Sequence, residues 1–350
     1  MTEKKLGQRK DDSHLGTRRK VEVTKEQKFE INPLMEDDVG ITVEDLSYLL
    51  KLEGVKGLGP QKFKSAFAAG LRPRDLLNDP KLLRIEGKRG DELQRLITEA
   101  ADQDGEILVA RAKKYIAQAH RYGTKILTYW HPLYPRIVFR SNYPTPILFA
   151  RGAIDVLSTS KTVACVGSRK IRPPYSDQHQ NFAKYAFQLG FTIVAGFAIG
   201  ADSIGHRAVV NAGGSTICVM AGGLDRPFPP ENKPLWEEFL HSPRVVFVSE
   251  APFGARAVGL TLRKRNKLIV AFSLGVLVSQ STEKGGSMNA YRFSIEQHKP
   301  VATFSDDGTE DTLGNKEISH SFKVPVAVFN VKETDYGGWQ RWLQQFSYSI

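Results

Sequence analysis

Residues 161–170 read KTVACVGSRK, with the apolar run 162–166 ending in Gly167-Ser168-Arg169. The run is short and rich in β-branched residues, so it reads as a buried strand rather than a helix segment. Runs of the same texture follow: FTIVA (191–195), STICVM (215–220), RVVFVS (244–249), GVLVSQ (275–280) and VATF (301–304). Helical stretches separate them, notably 177–189 and 202–211. Strands that are apolar along their length need cover on both faces, and the helices between them cross over right-handed. The predicted fold is α/β, a doubly wound, mostly parallel, Rossmann-like sheet. Such a sheet carries its functional loops at the carboxyl ends of the strands.

Working upstream, ILTYW (126–130) reads as a strand, followed by HPLYPRIVFRSNYPTPILFARG (131–152). Prolines at 132, 135, 144 and 146 break any ladder there, so this is a connector feeding a short strand at 147–150. Further upstream lies a small helical domain. Leu46, Leu49 and Leu50 form an apolar stripe before the turn Gly57-Leu58-Gly59-Pro60, and a second helix follows. A weaker echo of this helix-hairpin-helix (SAM-like) pattern occupies 82–97, with Gly87 and Gly90 between helical stretches, and 104–121 is helical. Glycine hairpins of this kind either offer amides to a phosphate or serve as packing units. Residues 1–40 mix charges with few large apolar side chains and are expected to be a disordered tail. After Phe304 a polar loop, a strand (VPVAVFNV) and a helix around 339–346 close the chain. The expected organisation is a tail (1–40), a helical domain (41–121), the Rossmann-like core (122–305) and a short C-terminal extension (306–350).

Over 350 residues, 41% are hydrophobic and 25% charged, the proportions of a soluble globular chain. No apolar run approaches the roughly 20 residues that span a bilayer. The segment MTEKKLGQRK lacks an apolar core, so no secretory signal is read and the cytoplasm is expected. Two cysteines, Cys165 and Cys218, both in strands, exclude a disulfide scaffold and a cysteine-rich zinc site, in keeping with a reducing compartment. Net charge is +11, and residues 161–305 hold 17 Lys and Arg against 9 Asp and Glu. The excess therefore lies on the core rather than on a tail. A basic folded surface favours a polyanion, because bound cations release counterions from phosphates, although such a surface also serves plain solubility.

Four glycine-rich loops follow four different strands. Gly167-Ser168-Arg169-Lys170 offers backbone amides and a forked guanidinium to a phosphate. Gly196 to Asp202 forms a second small-residue bend, in which Asp202 is expected to cap the next helix and His206 to pack. Gly222-Gly223 begins a third, before RPFPPENK. Lys284-Gly285-Gly286-Ser287 can act as an amide nest with a hydroxyl and an ammonium. Between the last two, Arg263-Lys264-Arg265-Asn266-Lys267 suits a phosphate track. A charge run is more often a solvated face; here LIVAFS directly after it anchors the segment to the core.

In this order, VGSR, GFAIGADSIGH, AGGLDRPFPPEN, SEAPFG, LRKRNKLIVAFS and GGS resemble the DprA/Smf family, over about residues 45–305. The resemblance implies a Rossmann-like core that binds single-stranded DNA in a basic pocket. It also implies homodimerisation and loading of a RecA-type recombinase during natural transformation. The pocket it implies contains Gly167, Ser168, Arg169, Arg265-Asn266-Lys267 and Gly286-Ser287. The sequence departs from the family at Ile199, where a basic residue is usual, and in MNAYRF after the last glycine loop. No winged-helix pattern is read after Phe304. A DprA-like defence component that senses DNA or nucleotides is the second reading, with a defence-system partner protein. The third is a hydrolase of nucleoside monophosphates. Relatives of that third kind need a Glu after the last glycine loop, where this chain reads Met288-Asn289-Ala290-Tyr291. No catalytic residue, metal or cofactor is expected, and no membrane partner.

Overall fold

The computed structural model describes residues 30–348. Six helices, α1 (Pro33–Val39), α2 (Val43–Glu53), α3 (Pro60–Ala68), α4 (Pro73–Asn78), α5 (Lys88–Asp102) and α6 (Glu106–Arg121), precede β1 (Thr124–Thr128). After α7 (Arg136–Arg140) come β2 (Ile147–Gly152), β3 (Thr162–Val166), α8 (Tyr175–Gln188), β4 (Thr192–Ala195) and α9 (Ala201–Asn211). The chain continues with β5 (Thr216–Val219), α10 (Lys233–Leu240), β6 (Val245–Ser249), α11 (Gly259–Ala271), β7 (Val276–Val278) and α12 (Met288–Glu296). It closes with β8 (Val301–Phe304), α13 (Leu313–Ser319), β9 (Val326–Phe329) and α14 (Tyr336–Gln344).

The strands form one sheet in the order β1-β2-β6-β5-β4-β3-β7-β8-β9. From β6 to β9 every neighbouring pair is parallel; β1–β2 and β2–β6 are antiparallel. The chain winds from β3 out to β6, then returns to start again beside β3 with β7. That reversal splays the loops after β3 and β7 to opposite faces and leaves a crevice between them.

Period-two alternation divides the strand side chains between two cores. Val163 and Cys165 of β3 pack with Phe182 of α8, Val209 of α9 and Trp339 of α14. Ala164 and Val166 face the opposite side, in a cluster with Leu268 of α11 and Met288 of α12. That second cluster runs on through Leu148 of β2 and Ile126 of β1 to Leu46, Leu49 and Ile116 of the helical segment. The helical segment and the sheet therefore share one continuous apolar core.

Several expectations change in the described structure. The expected tail over 1–40 lies outside the described residues up to position 29, but 33–39 is helical. Asn32 caps α1 by accepting from Met35 N at 3.0 Å, and Val39 is fully buried. Gly90 lies inside α5 rather than between helices; a Cβ there would stand 1.9 Å from Ile85 O. The proline-rich connector contains a helical turn, α7. The residues after 305 join the sheet and its outer helices: β9 pairs with β8 along four residues and α14 packs on α8.

Candidate nucleic-acid interface

A cavity of about 510 Å³ opens at the carboxyl ends of β3 and β7. Its walls are the loop 167–170, Ala198 and Asp202 at the start of α9, one side of α11, and the turn before α12. Helix α11 presents Gly259, Leu262, Asn266 and Ile269 to it. The spacing of three, four and three residues is one helical face. Arg263 and Arg265 flank that face and also line the cavity.

Short-range bonds hold the walls. Ala201 N donates to Ser168 O at 3.1 Å, and Ser168 Oγ accepts from Lys170 N at 3.0 Å. Gly200, with φ +81°, lets the β3 loop lie on the start of α9; a Cβ there would stand 2.4 Å from Arg169 O. Across the cavity, Asn266 Nδ2 donates to Gly286 O at 3.1 Å and Ser287 Oγ donates to Ser281 Oγ at 2.8 Å. These bonds place Arg169 and Lys170 on a pinned turn opposite the N-terminus of α12. Helix N-termini and free amides attract anions.

The floor holds Arg265 and Asp202, opposite charges close enough to act on each other without a direct hydrogen bond or ion pair. Arg265 Nη1 donates to Val219 O at 2.8 Å, and its Nε is buried with no partner among the described residues. Asp202 is 6% exposed, and its Oδ2 accepts from Ala198 N at 3.1 Å. The two side chains meet over Gly196, where a Cβ would lie 1.8 Å from Arg265 Nη1 and 2.5 Å from Asp202 Oδ2. Burial pushes the Asp202 carboxyl above its ordinary value, while Arg265, the Ala198 amide and Arg169 draw it down. Burial likewise works against the Arg265 charge, and Asp202 supports it. Asp202 therefore does not cap α9, whose N-cap is Gly200; it braces the 196–198 bend through Ala198 N and supports the charge of nearby Arg265.

The structure gathers Gly167, Ser168, Arg169, Lys170, Arg263, Arg265, Asn266, Gly285, Gly286 and Ser287 around this cavity. Four others stand elsewhere. Lys267 turns to the far side of α11, 3.4 Å from Glu296 and over the rings of Phe293 and Tyr143. It continues the basic run in sequence, but a helix rotates neighbours apart, so it cannot share the face of Asn266. Gly222 and Gly223 pack under the loop after β6; Cβ atoms there would meet Ala255 O at 2.8 Å and Pro252 O at 2.6 Å. Lys284 is exposed outside the cavity lining. Sequence reasoning placed Gly196 in a bend but missed why it must be glycine, and missed the true role of Asp202, because Arg265 is 63 positions beyond Asp202 in the chain. Asp225, in the loop after β5, pairs with Arg226 at 2.8 Å and accepts from Gly254 N.

His206 packs, as expected. Its Nε2 lies 2.6 Å from Gly196 O and its Nδ1 lies 2.7 Å from Thr216 Oγ1. His179 Nδ1 contacts Ser279 Oγ beside the same helix. Burial pushes both imidazoles down to about 4. An unfolded histidine titrates near ~6.5, so the stability these groups contribute is present above that value. It is lost as pH falls from there through about 4. Urea midpoints measured across this window should drop steeply, and less so in His206→Gln; a flat parent profile would contradict the assignment.

Together these features define the class: a doubly wound α/β protein with a basic, amide-lined crevice at its strand-order reversal. Residues 125–322, more than half of the chain, match the family described as DNA recombination-mediator protein A, and the chain belongs to that family. Protein Smf of Synechocystis sp. is 28% identical over 192 residues, covering 54% of this chain and 48% of that protein. DNA processing protein DprA of Bacillus subtilis is 32% identical over 158 residues, covering 45% and 52%. The chain thus matches about half the length of these relatives. In fold it resembles DprA of Streptococcus pneumoniae, with a TM-score of 0.61 at 19% identity over 81% of this chain and 95% of the other. It also resembles DNA processing protein A of Helicobacter pylori, a structure described for its single-stranded DNA binding mode. There the TM-score is 0.52 at 23% identity, over 65% and 97%. Among the described residues no helix is long and apolar enough to cross a membrane.

Proposed function

We propose that this protein binds single-stranded DNA in the crevice as a DNA-processing protein of the DprA type. The observation that carries the reading is the convergence of Arg169, Lys170, Arg263 and Arg265 with the Gly285–Ser287 turn on one cavity at the strand-order reversal. Cations and free amides match phosphodiester oxygens, and they read no base sequence. A crevice set between helix ends admits a flexible single strand, whereas a duplex presents its phosphates on a stiff, broad cylinder. Handing the strand to a RecA-type recombinase, and doing so as a homodimer, extends this reading on the strength of family membership. Sedimentation of the free protein and recombinase filament assembly on coated single strands test those two parts.

The core of the reading is tested by fluorescence titration of labelled oligonucleotides at several salt concentrations. Single strands should bind tighter than duplex, with log K falling against log salt by about 0.7 per phosphate engaged. Arg169→Ala should cost about 1.5–3 kcal/mol of binding, the value of a charge-assisted hydrogen bond. Lys267→Ala should cost far less, since its ammonium faces Glu296. Equal affinity for duplex, or an Arg169→Ala protein that binds like the parent, would place the site elsewhere.

A further inference from the structure

The helix that carries two of the crevice's four cations is poorly anchored where it carries them. Along α11 the buried residues begin only at Leu268, and Val258 and Leu260 at its start are 52% and 79% exposed. The half from Gly259 to Lys267 therefore gains little from core packing. It also concentrates Arg263, Lys264, Arg265 and Lys267 within two turns, and like charges three and four residues apart oppose helix formation. Side-chain tethers hold this half instead.

On the crevice side the tethers are Asn266 to Gly286 O and Arg265 to Val219 O. On the far side the central group is Glu250, just after β6, whose side chain is 14% exposed. Lys264 Nζ lies 3.8 Å from its Oε1. Tyr143 OH, from the connector before β2, reaches both carboxylate oxygens, at 3.2 and 3.3 Å. The Tyr143 ring also lies 5.9 Å from Lys267 Nζ. Glu53, at the end of α2, faces the same group: Glu250 raises its carboxyl and Lys264 lowers it, after the larger upward effect of its packing. One carboxylate thus ties α11 to the connector, and the helical segment reaches the same spot.

We infer that Glu250 is a positioning residue for DNA binding: it holds the back of α11 through Lys264, is itself held by Tyr143, and so keeps Arg263 and Asn266 facing the crevice. The inference rests on the proposed reading of the crevice as the single-strand site. It has an uncommon sign. Removing a carboxylate from a basic surface ordinarily tightens DNA binding, because the electrostatic attraction rises. Here removal should weaken it.

The test uses the full chain in the same salt titrations. Glu250→Gln should bind single strands about threefold more weakly, the scale of a partly exposed ion pair. Its salt dependence should be shallower than the parent's, with unchanged binding stoichiometry, because correctly aimed cations are lost while folded protein is not. Tyr143→Phe leaves every charge in place and should shift affinity in the same direction by about twofold, the value of one modest hydrogen bond. Hydrogen exchange of amides 259–267 should quicken in both variants. Tighter or unchanged binding by Glu250→Gln, or a Tyr143→Phe protein identical to the parent, overturns the inference while leaving the crevice reading intact if Arg169→Ala still weakens binding. If Arg169→Ala also binds normally, the crevice reading itself has failed and the inference falls with it.

Discussion

Arg265→Met is expected to lower the stability of this protein by about 1–3 kcal/mol at neutral pH, the cost of leaving the Val219 carbonyl without its donor and Asp202 without its main balancing charge. Methionine fills much of the same space, so the loss is electrostatic rather than a cavity. What remains is Asp202, 6% exposed, with Ala198 N as its hydrogen-bond donor and Arg169 as the weaker of its two former balancing charges. Its carboxyl already lies above the ordinary value because of burial, and loss of Arg265 raises it further. A carboxyl raised on folding favours the folded state only when protonated. The defect should therefore be full at neutral pH and shrink as pH falls through the raised value. Urea unfolding of parent and variant, compared as a difference at each pH, checks this. The pair Arg265→Met with Asp202→Asn should recover most of the stability without recovering DNA binding. A variant as stable as the parent at neutral pH would mean that Asp202 is neutralised by something else.

Trp339→Ala should cost more, about 3–5 kcal/mol, through lost packing and the cavity left behind. Trp339 is fully buried on the outer face of the sheet. Its ring lies 5.4 Å from Phe182 of α8, 6.5 Å from Phe304 of β8 and 6.4 Å from Phe329 of β9, centroid to centroid. Its indole Nε1 has no partner among the described residues, so no hydrogen bond offsets or adds to the loss. The measurement is the denaturant midpoint at constant slope. A shift of less than about 1 kcal/mol would show that α14 contributes little to the fold.

What could be read in the sequence follows from the range of the interactions involved. The strands were legible because burial on both faces demands an unbroken apolar run, and TVACV, RVVFVS and VATF are such runs within a residue of their observed ends. The order of strand and helix then implied a parallel, doubly wound sheet, since crossovers have one hand. The glycine loops at Gly167 and Gly286 were legible for a similar local reason: close backbone approach to an anion requires small residues at a strand end.

The tertiary structure alone decided which of these residues share a site. Arg265, Asn266 and Lys267 are consecutive, yet the first lies on the crevice floor, the second bonds Gly286, and the third turns to Glu296. That division depends on the rotation of α11 about its axis, set by the burial of Leu268 to Ala271 against the sheet. Gly196 gave no sign of its constraint until Arg265 was seen to occupy the space of its missing side chain. Likewise Asp202 read as a helix cap because capping is local, and its true neighbour is far along the chain. Local pattern thus determined the elements, their order and the polyanion-seeking charge of this protein. Long-range packing decided which charges face the crevice, which are spent on holding α11, and which carboxylate lies beneath them, because those outcomes depend on distances between segments that no local spacing encodes.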